Sequence, residues 1–150
     1  MIIGLIGLGE MGSEIGRSFV KNKINVISVF EGRSKNSKER AMKYGIKDAL
    51  SVQNFSKESD IVISVIPPDK ALETAKLYSS FANKENQIYC DLNAISTMTA
   101  KKIKKLLDQR NLNYVDGSIM GGPPNEKYSP RVYLSGKLAK KILFLSGKGI

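Results

Sequence analysis

Gly7-Leu8-Gly9-Glu10-Met11-Gly12 stands directly behind the apolar run Met1-Ile2-Ile3-Gly4-Leu5-Ile6. The apolar run reads as a buried strand. Behind the glycines, Met11, Ile15 and Phe19 recur at spacing four and read as the inner face of a helix over residues 10–21. A glycine-rich turn between such a strand and such a helix is where a dinucleotide pyrophosphate binds. Gly7 lets the chain turn tightly out of the strand. Gly9, without a Cβ, lets backbone approach the phosphates. Gly12 lets the helix lie close to the strand. The helix N-terminus supplies free N–H groups and a positive dipole end, so Leu8, Glu10 and Met11 belong to the same cradle.

Outward from this turn the chain alternates β-like runs with helical segments. Strands are expected at residues 25–30, 61–66, 87–92, 113–116 and 131–134. Helices are expected at 37–44, closed by Gly45, and at 69–82, with Ala71, Ala75, Tyr78 and Ala82 inward. A further helix should run from a Ser96 or Thr97 cap to about Gln109 with Ile103, Leu106 and Leu107 as its stripe, and a lysine-rich helix should follow Gly136 through Leu145. Pro67-Pro68 stops the 61–66 strand. The alternation predicts a Rossmann-type, doubly wound α/β fold with a mostly parallel sheet, as a single three-layer domain over residues 1–150.

At 41% hydrophobic and 25% charged residues the composition is that of a soluble globular chain, and no apolar run is long enough for a membrane span. The strand begins at Met1 with no basic, cleavable leader, and Cys90 is the single cysteine, so the expected compartment is the cytoplasm. The chain has no histidine, which excludes a Cys/His metal site and a histidine-dependent triad. The net charge is +10, with the surplus after residue 96 on Lys101, Lys102, Lys104, Lys105, Arg110, Lys137, Lys140, Lys141 and Lys148. These are solvated helix faces, or they attract an anionic ligand or an acidic partner segment. The basic runs lack interleaved aromatics, so nucleic acid is not an expected partner, and neither is a membrane.

Four further stretches carry chemistry. Glu31-Gly32-Arg33-Ser34 follows the second strand, where the adenosine ribose sits in such a fold. Glu31 could bind ribose hydroxyls, whereas Arg33 and Ser34 could take a 2′-phosphate, so NADP is favoured over NAD. Val65-Ile66-Pro67 closes the strand nearest the nicotinamide ribose. Asn93, in Asp91-Leu92-Asn93-Ala94-Ile95-Ser96, could hydrogen-bond nicotinamide or substrate, or the stretch only shapes a turn and a helix cap. Asp116-Gly117-Ser118-Ile119-Met120-Gly121-Gly122-Pro123-Pro124 could hold a carboxylate or phosphate on its bare N–H groups, or be only a turn.

In this order, these motifs resemble the NADP-binding domain of the β-hydroxyacid dehydrogenases, a family that includes 6-phosphogluconate and 3-hydroxyisobutyrate dehydrogenases. The resemblance runs through nearly the whole chain. It implies oxidation of a 3-hydroxy acid by hydride transfer to NAD(P)⁺, with a lysine as general acid-base. It places pyrophosphate on Gly7 to Gly12, the 2′-phosphate on Arg33, nicotinamide near Asn93, and substrate against Ser118, Met120, Gly121 and Gly122. The family usually carries Ser-Thr where this sequence has Asn93-Ala94, and proline where it has Thr97. Its catalytic lysine lies on a later helix, expected beyond Ile150, in an all-helical domain that closes the site and builds the dimer. No catalytic residue is therefore assigned within residues 1–150, though Lys127 lies next to the substrate-side loop. Three accounts stay open: a portion of a longer dehydrogenase, a chain working with a second polypeptide that supplies the helical part, and a stand-alone NADP-binding or regulatory module. The expected macromolecular partner is such a helical segment or a second copy in a homodimer. An imine or pyrroline reductase is the alternative chemistry, against which the Asp116-to-Gly122 motif argues.

Overall fold

A computed structural model describes residues 1–150. The strands are β1 (Ile2–Ile6), β2 (Asn25–Ser28), β3 (Lys47–Asp48), β4 (Ile61–Ser64), β5 (Ile88–Asp91), β6 (Asn113–Met120) and β7 (Arg131–Ser135). The α-helices are α1 (Glu10–Lys21), α2 (Lys35–Lys43), α3 (Val52–Glu58), α4 (Ala71–Phe81) and α5 (Thr97–Asp108). The seven strands form one sheet in the order β3-β2-β1-β4-β5-β6-β7, parallel throughout except for β7, which runs antiparallel to β6. This is the expected doubly wound α/β fold. Strand order reverses between β1 and β4, and the crevice beyond their C-terminal ends is where such sheets bind ligands.

Alternation along the strands builds two cores. On one face Ile3, Leu5, Val26, Ile63, Cys90 and Val115 meet Ile15 and Phe19 of α1, Ala41 of α2, and Ile142 and Leu145. On the other, Ile27, Val62 and Tyr89 meet Phe55 of α3, Ala75 and Tyr78 of α4, and Ile103 and Leu107 of α5. No helix is long and apolar enough to cross a membrane.

Several boundaries differ from the sequence expectation. β3 and α3, between β2 and β4, carried no strand or helix expectation. β2 stops at Ser28, and the chain turns from Phe30 to Arg33 through Gly32 at φ +71°. β6 continues past Asp116 to Met120 because β7 pairs along it, Met120 opposite Arg131. The lysine-rich segment forms a 3-10 helix over Ala139–Leu145, not an α-helix. Its buried residues Ile142 and Leu145 are three apart, the spacing that aligns side chains at three residues per turn.

Candidate dinucleotide site

The glycine turn is built from three different constraints. Gly7 sits at φ +109°, and a Cβ there would fall 2.0 Å from the Val65 carbonyl oxygen, so β4 packs directly on the turn. A Cβ on Gly12 would fall 2.1 Å from the Gly7 carbonyl oxygen, so α1 can start only against bare backbone. Gly9 is different. Its φ of −64° is open to any residue, and a Cβ would meet nothing within 4 Å. Nothing in the fold requires glycine at position 9; a side chain there would occupy open space in front of the helix.

That space faces the start of α1. The first helical bond runs from Ser13 N to Gly9 O at 2.9 Å, which leaves the amides of Glu10, Met11 and Gly12 without intrahelical acceptors, and no side chain caps them. Helices α2, α3 and α5 are closed by the hydroxyls of Ser34, Ser51 and Ser96. An uncapped N-terminus with its dipole end and a cleared approach fits a pyrophosphate. The Leu8 side chain is buried, so this residue faces the cradle through its backbone alone.

A cleft of about 580 Å³ lies beside the ends of β1, β2 and β4, lined there by Ile6, Val29 and Ile66 and by none of residues 7–12. Glu31 and Arg33 lie at its exposed rim with Gly32 between them, while Ile66, Pro67 and Lys70 line the opposite side. Apolar walls from Val29, Phe55 and Leu77 suit a planar base. Ser34 caps α2, accepting from Ser37 N at 3.2 Å and donating to Ser37 Oγ at 3.0 Å.

At the other end Asn93 stitches two strand ends together. Its Oδ1 accepts from Ile66 N at 2.7 Å and its Nδ2 donates to Ser64 Oγ at 3.2 Å. Both ends of the amide are engaged once, which leaves one Nδ2 N–H and one Oδ1 lone pair without a partner. The Asn93 backbone N–H in turn donates to Asp91 Oδ1 at 2.8 Å. Asp91 is fully buried and its Oδ2 has no partner. Burial pushes its carboxyl up to about 6, an effect the Asn93 amide opposes and the charge of Asp116 on the neighbouring strand reinforces.

Asn93, Asp116, Ser118 and Tyr133 line a second cleft of about 380 Å³. Met120 is exposed at the end of β6. Gly121, at φ +127°, leaves a Cβ no room because the Tyr128 hydroxyl would lie 1.9 Å away, whereas a Cβ on Gly122 would meet open space. Lys127 lies in another cleft, beside Glu14, Arg17 and Lys21 of α1. The glycine turn, the β4 end and Asn93 are thus contiguous, and Asn93 shares the second cleft with Ser118. One residue of the site gave no sequence signal. Arg40 of α2 reaches the Leu8 carbonyl oxygen at 2.8 Å, and no spacing or motif marks that contact.

Residues 2–141 match the family described as the NAD binding domain of 6-phosphogluconate dehydrogenase. The chain is 37% identical, over its whole length and 56% of the relative's, to an uncharacterized 28.5 kDa protein of Methanothermus fervidus. It is 24% identical to a probable mitochondrial 3-hydroxyisobutyrate dehydrogenase of Dictyostelium discoideum, over 99% of this chain and 48% of that one. Among solved structures, a conserved protein of unknown function with structural similarity to 3-hydroxyacid dehydrogenases superimposes with a TM-score of 0.86 at 28% identity, covering 100% of this chain and 55% of the other. The chain spans about half the length of these relatives.

Proposed function

The chain belongs to the family of the NAD-binding domain of 6-phosphogluconate dehydrogenase, and from that premise we propose that it holds NADP for an oxidoreductase acting on a 3-hydroxy acid. The observation that carries the reading is Gly9: a glycine that neither backbone geometry nor packing requires, keeping clear the approach to an uncapped helix N-terminus. When bound there, the dinucleotide would supply hydride chemistry. The amides of Glu10, Met11 and Gly12 hold the pyrophosphate. Arg33, exposed at the rim of the long cleft, pairs with the 2′-phosphate, and Glu31 faces the ribose. Val65, Ile66 and Pro67 form the floor between ribose and nicotinamide, held in place by the Asn93 amide.

The substrate lies over Ser118, Met120 and Gly122. The Ser118 hydroxyl lines the second cleft, and the open space above Gly122 admits a carboxylate to bare backbone. Removing a hydride from a secondary alcohol requires a base for the hydroxyl proton. No lysine lines the second cleft, and Lys127 lies in the separate cleft beside α1. By the family resemblance we assign the proton to a lysine outside these 150 residues, on a helical segment or a partner chain.

Titration of the purified chain with NADPH and NADH, followed by nicotinamide fluorescence or calorimetry, tests the cofactor assignment. NADPH should bind more tightly, and the preference should vanish in Arg33→Ala. Equal affinity in the parent chain removes the 2′-phosphate from Arg33, and absence of binding to either removes the dinucleotide from this turn.

A further inference from the structure

Arg40 lies inside α2, yet its guanidinium belongs to the glycine turn. Its Nη2 donates to the Leu8 carbonyl oxygen at 2.8 Å and its Nε to Ser13 Oγ at 3.2 Å. Ser13 Oγ itself donates to the same Leu8 oxygen at 3.0 Å. Two donors from two helices thus fix one carbonyl in the middle of the Gly7-to-Gly12 turn and fill its acceptor capacity. The Leu8–Gly9 peptide is trans and planar, so its N–H points opposite to its C=O. With the Leu8 oxygen held toward Arg40 and Ser13, the Gly9 N–H is turned to the other side.

Two further facts separate this contact from ordinary helix bracing. Arg40 is only half exposed and has no carboxylate within ion-pair distance. Its nearest polar partners are neutral oxygens, so its charge stays unneutralised beside the turn. By contrast, Arg17, on the same α1–α2 interface, pairs with Glu14 at 3.2 Å. Arg40 also sits on the helix whose N-cap is Ser34, directly after Arg33. One rigid element therefore carries the 2′-phosphate rim at its start and the brace of the pyrophosphate turn in its body.

We propose that Arg40 is a positioning residue for the pyrophosphate: it does not touch the cofactor, but aims the Leu8–Gly9 peptide and adds positive potential behind it. This rests on the dinucleotide reading of the turn. It makes a specific division of labour. Arg33 discriminates NADPH from NADH, whereas Arg40 strengthens both equally, because both carry the pyrophosphate.

The test compares the parent chain with Arg40→Met and Arg40→Lys by calorimetry on two probes. ADP-ribose carries the pyrophosphate, and adenosine 2′-monophosphate carries only the adenosine and 2′-phosphate. Arg40→Met should weaken ADP-ribose roughly tenfold, the loss expected when the Gly9 N–H is no longer aimed into a charge-assisted hydrogen bond with the phosphate, and change the adenosine 2′-monophosphate affinity less than twofold. Arg40→Lys, which keeps the charge and one donor, should recover part of the loss. Unchanged ADP-ribose affinity in Arg40→Met overturns the proposal, and so does an equal loss for both probes, which would mark a general structural role. If the parent chain binds neither probe, the dinucleotide reading has failed instead. The positioning claim is then read from the Gly9 amide, whose hydrogen exchange should accelerate in Arg40→Met; an unchanged rate overturns it.

Discussion

Replacing Gly9 with valine separates what the turn does for the fold from what it does for a ligand. The φ of −64° at Gly9 is acceptable to valine, and a Cβ there meets nothing within 4 Å. The remaining cost is that of a poorer helix N-cap, about 1 kcal/mol or less. For a domain of this size that lowers Tm by no more than about 4 °C. The space filled is that in front of the free amides of Glu10, Met11 and Gly12, so NADPH affinity should fall at least a hundredfold, about 2.7 kcal/mol or more. Gly7→Ala is the control with the opposite signature. It places a side chain at φ +109° with its Cβ 2.0 Å from the Val65 carbonyl. The left-handed backbone alone costs roughly 1–2 kcal/mol, and displacing β4 adds to that. Gly7→Ala should therefore melt well below Gly9→Val. Thermal melts followed by circular dichroism, with NADPH titration of each folded variant, read both quantities. A folded Gly9→Val that binds NADPH normally refutes the placement of the pyrophosphate. A Gly7→Ala as stable as the parent refutes the packing argument.

Three further outcomes are expected. Arg33→Ala should lower NADPH affinity roughly tenfold to a hundredfold, equivalent to a lost charge-assisted contact of about 1.5–3 kcal/mol, while NADH affinity changes less than threefold in the same titration. Asp91→Asn should alter the pH dependence of stability. The Asp91 carboxyl is raised from 3.8 to about 6 in the folded chain, so the native state binds the extra proton and stability falls as pH rises between those values. The variant lacks this loss and should gain up to about 3 kcal/mol relative to the parent between pH 4 and 7, read by urea denaturation. Asp60, lowered by its hydrogen bond from Lys84 and present in both chains, cancels in the difference, and a flat difference refutes the assignment. Finally, the purified 150-residue chain should form no NADPH from NADP and a panel of 3-hydroxy acids that includes 6-phosphogluconate. Clear turnover would show that a base lies within these residues.

The elements legible in the sequence are those whose own residues supply their burial. β1, β4 and β5 are short apolar runs with most residues inaccessible, and α1 and α5 carry stripes that fall on the two cores. β3 has no such signature. Lys47 and Asp48 are both exposed and become a strand only because Ile27 and Ser28 present an open sheet edge. α3 is seven residues long and buries Phe55 and Ser56, too few positions to reveal a period. The extension of β6 was concealed by Gly117. Its missing side chain reads as a break, but a Cβ there would press on Leu92 and Leu134 at 2.8 and 2.9 Å, so close packing from both neighbours explains the glycine.

The same division runs through the site, and it follows from how each residue acts. Glycines are visible because their effect is local: Gly7 and Gly12 are needed where backbone meets backbone. Arg33 and Glu31 are visible because they follow a strand end whose position the fold fixes. Asn93 was legible as a polar residue at a strand end, but not in its partners, because Ile66, just beyond β4, and Ser64, at its end, lie 27 and 29 residues away. Removing its amide would leave the half-buried Ile66 N–H and the fully buried Ser64 hydroxyl without this partner, at about 1–3 kcal/mol per unsatisfied group. Arg40 is the extreme case. Its effect passes through the Leu8 carbonyl to an N–H it never meets, so neither its own neighbours in sequence nor any spacing from the glycines encodes it. A residue that works by holding a peptide can be found only where the peptide and its holder are seen together.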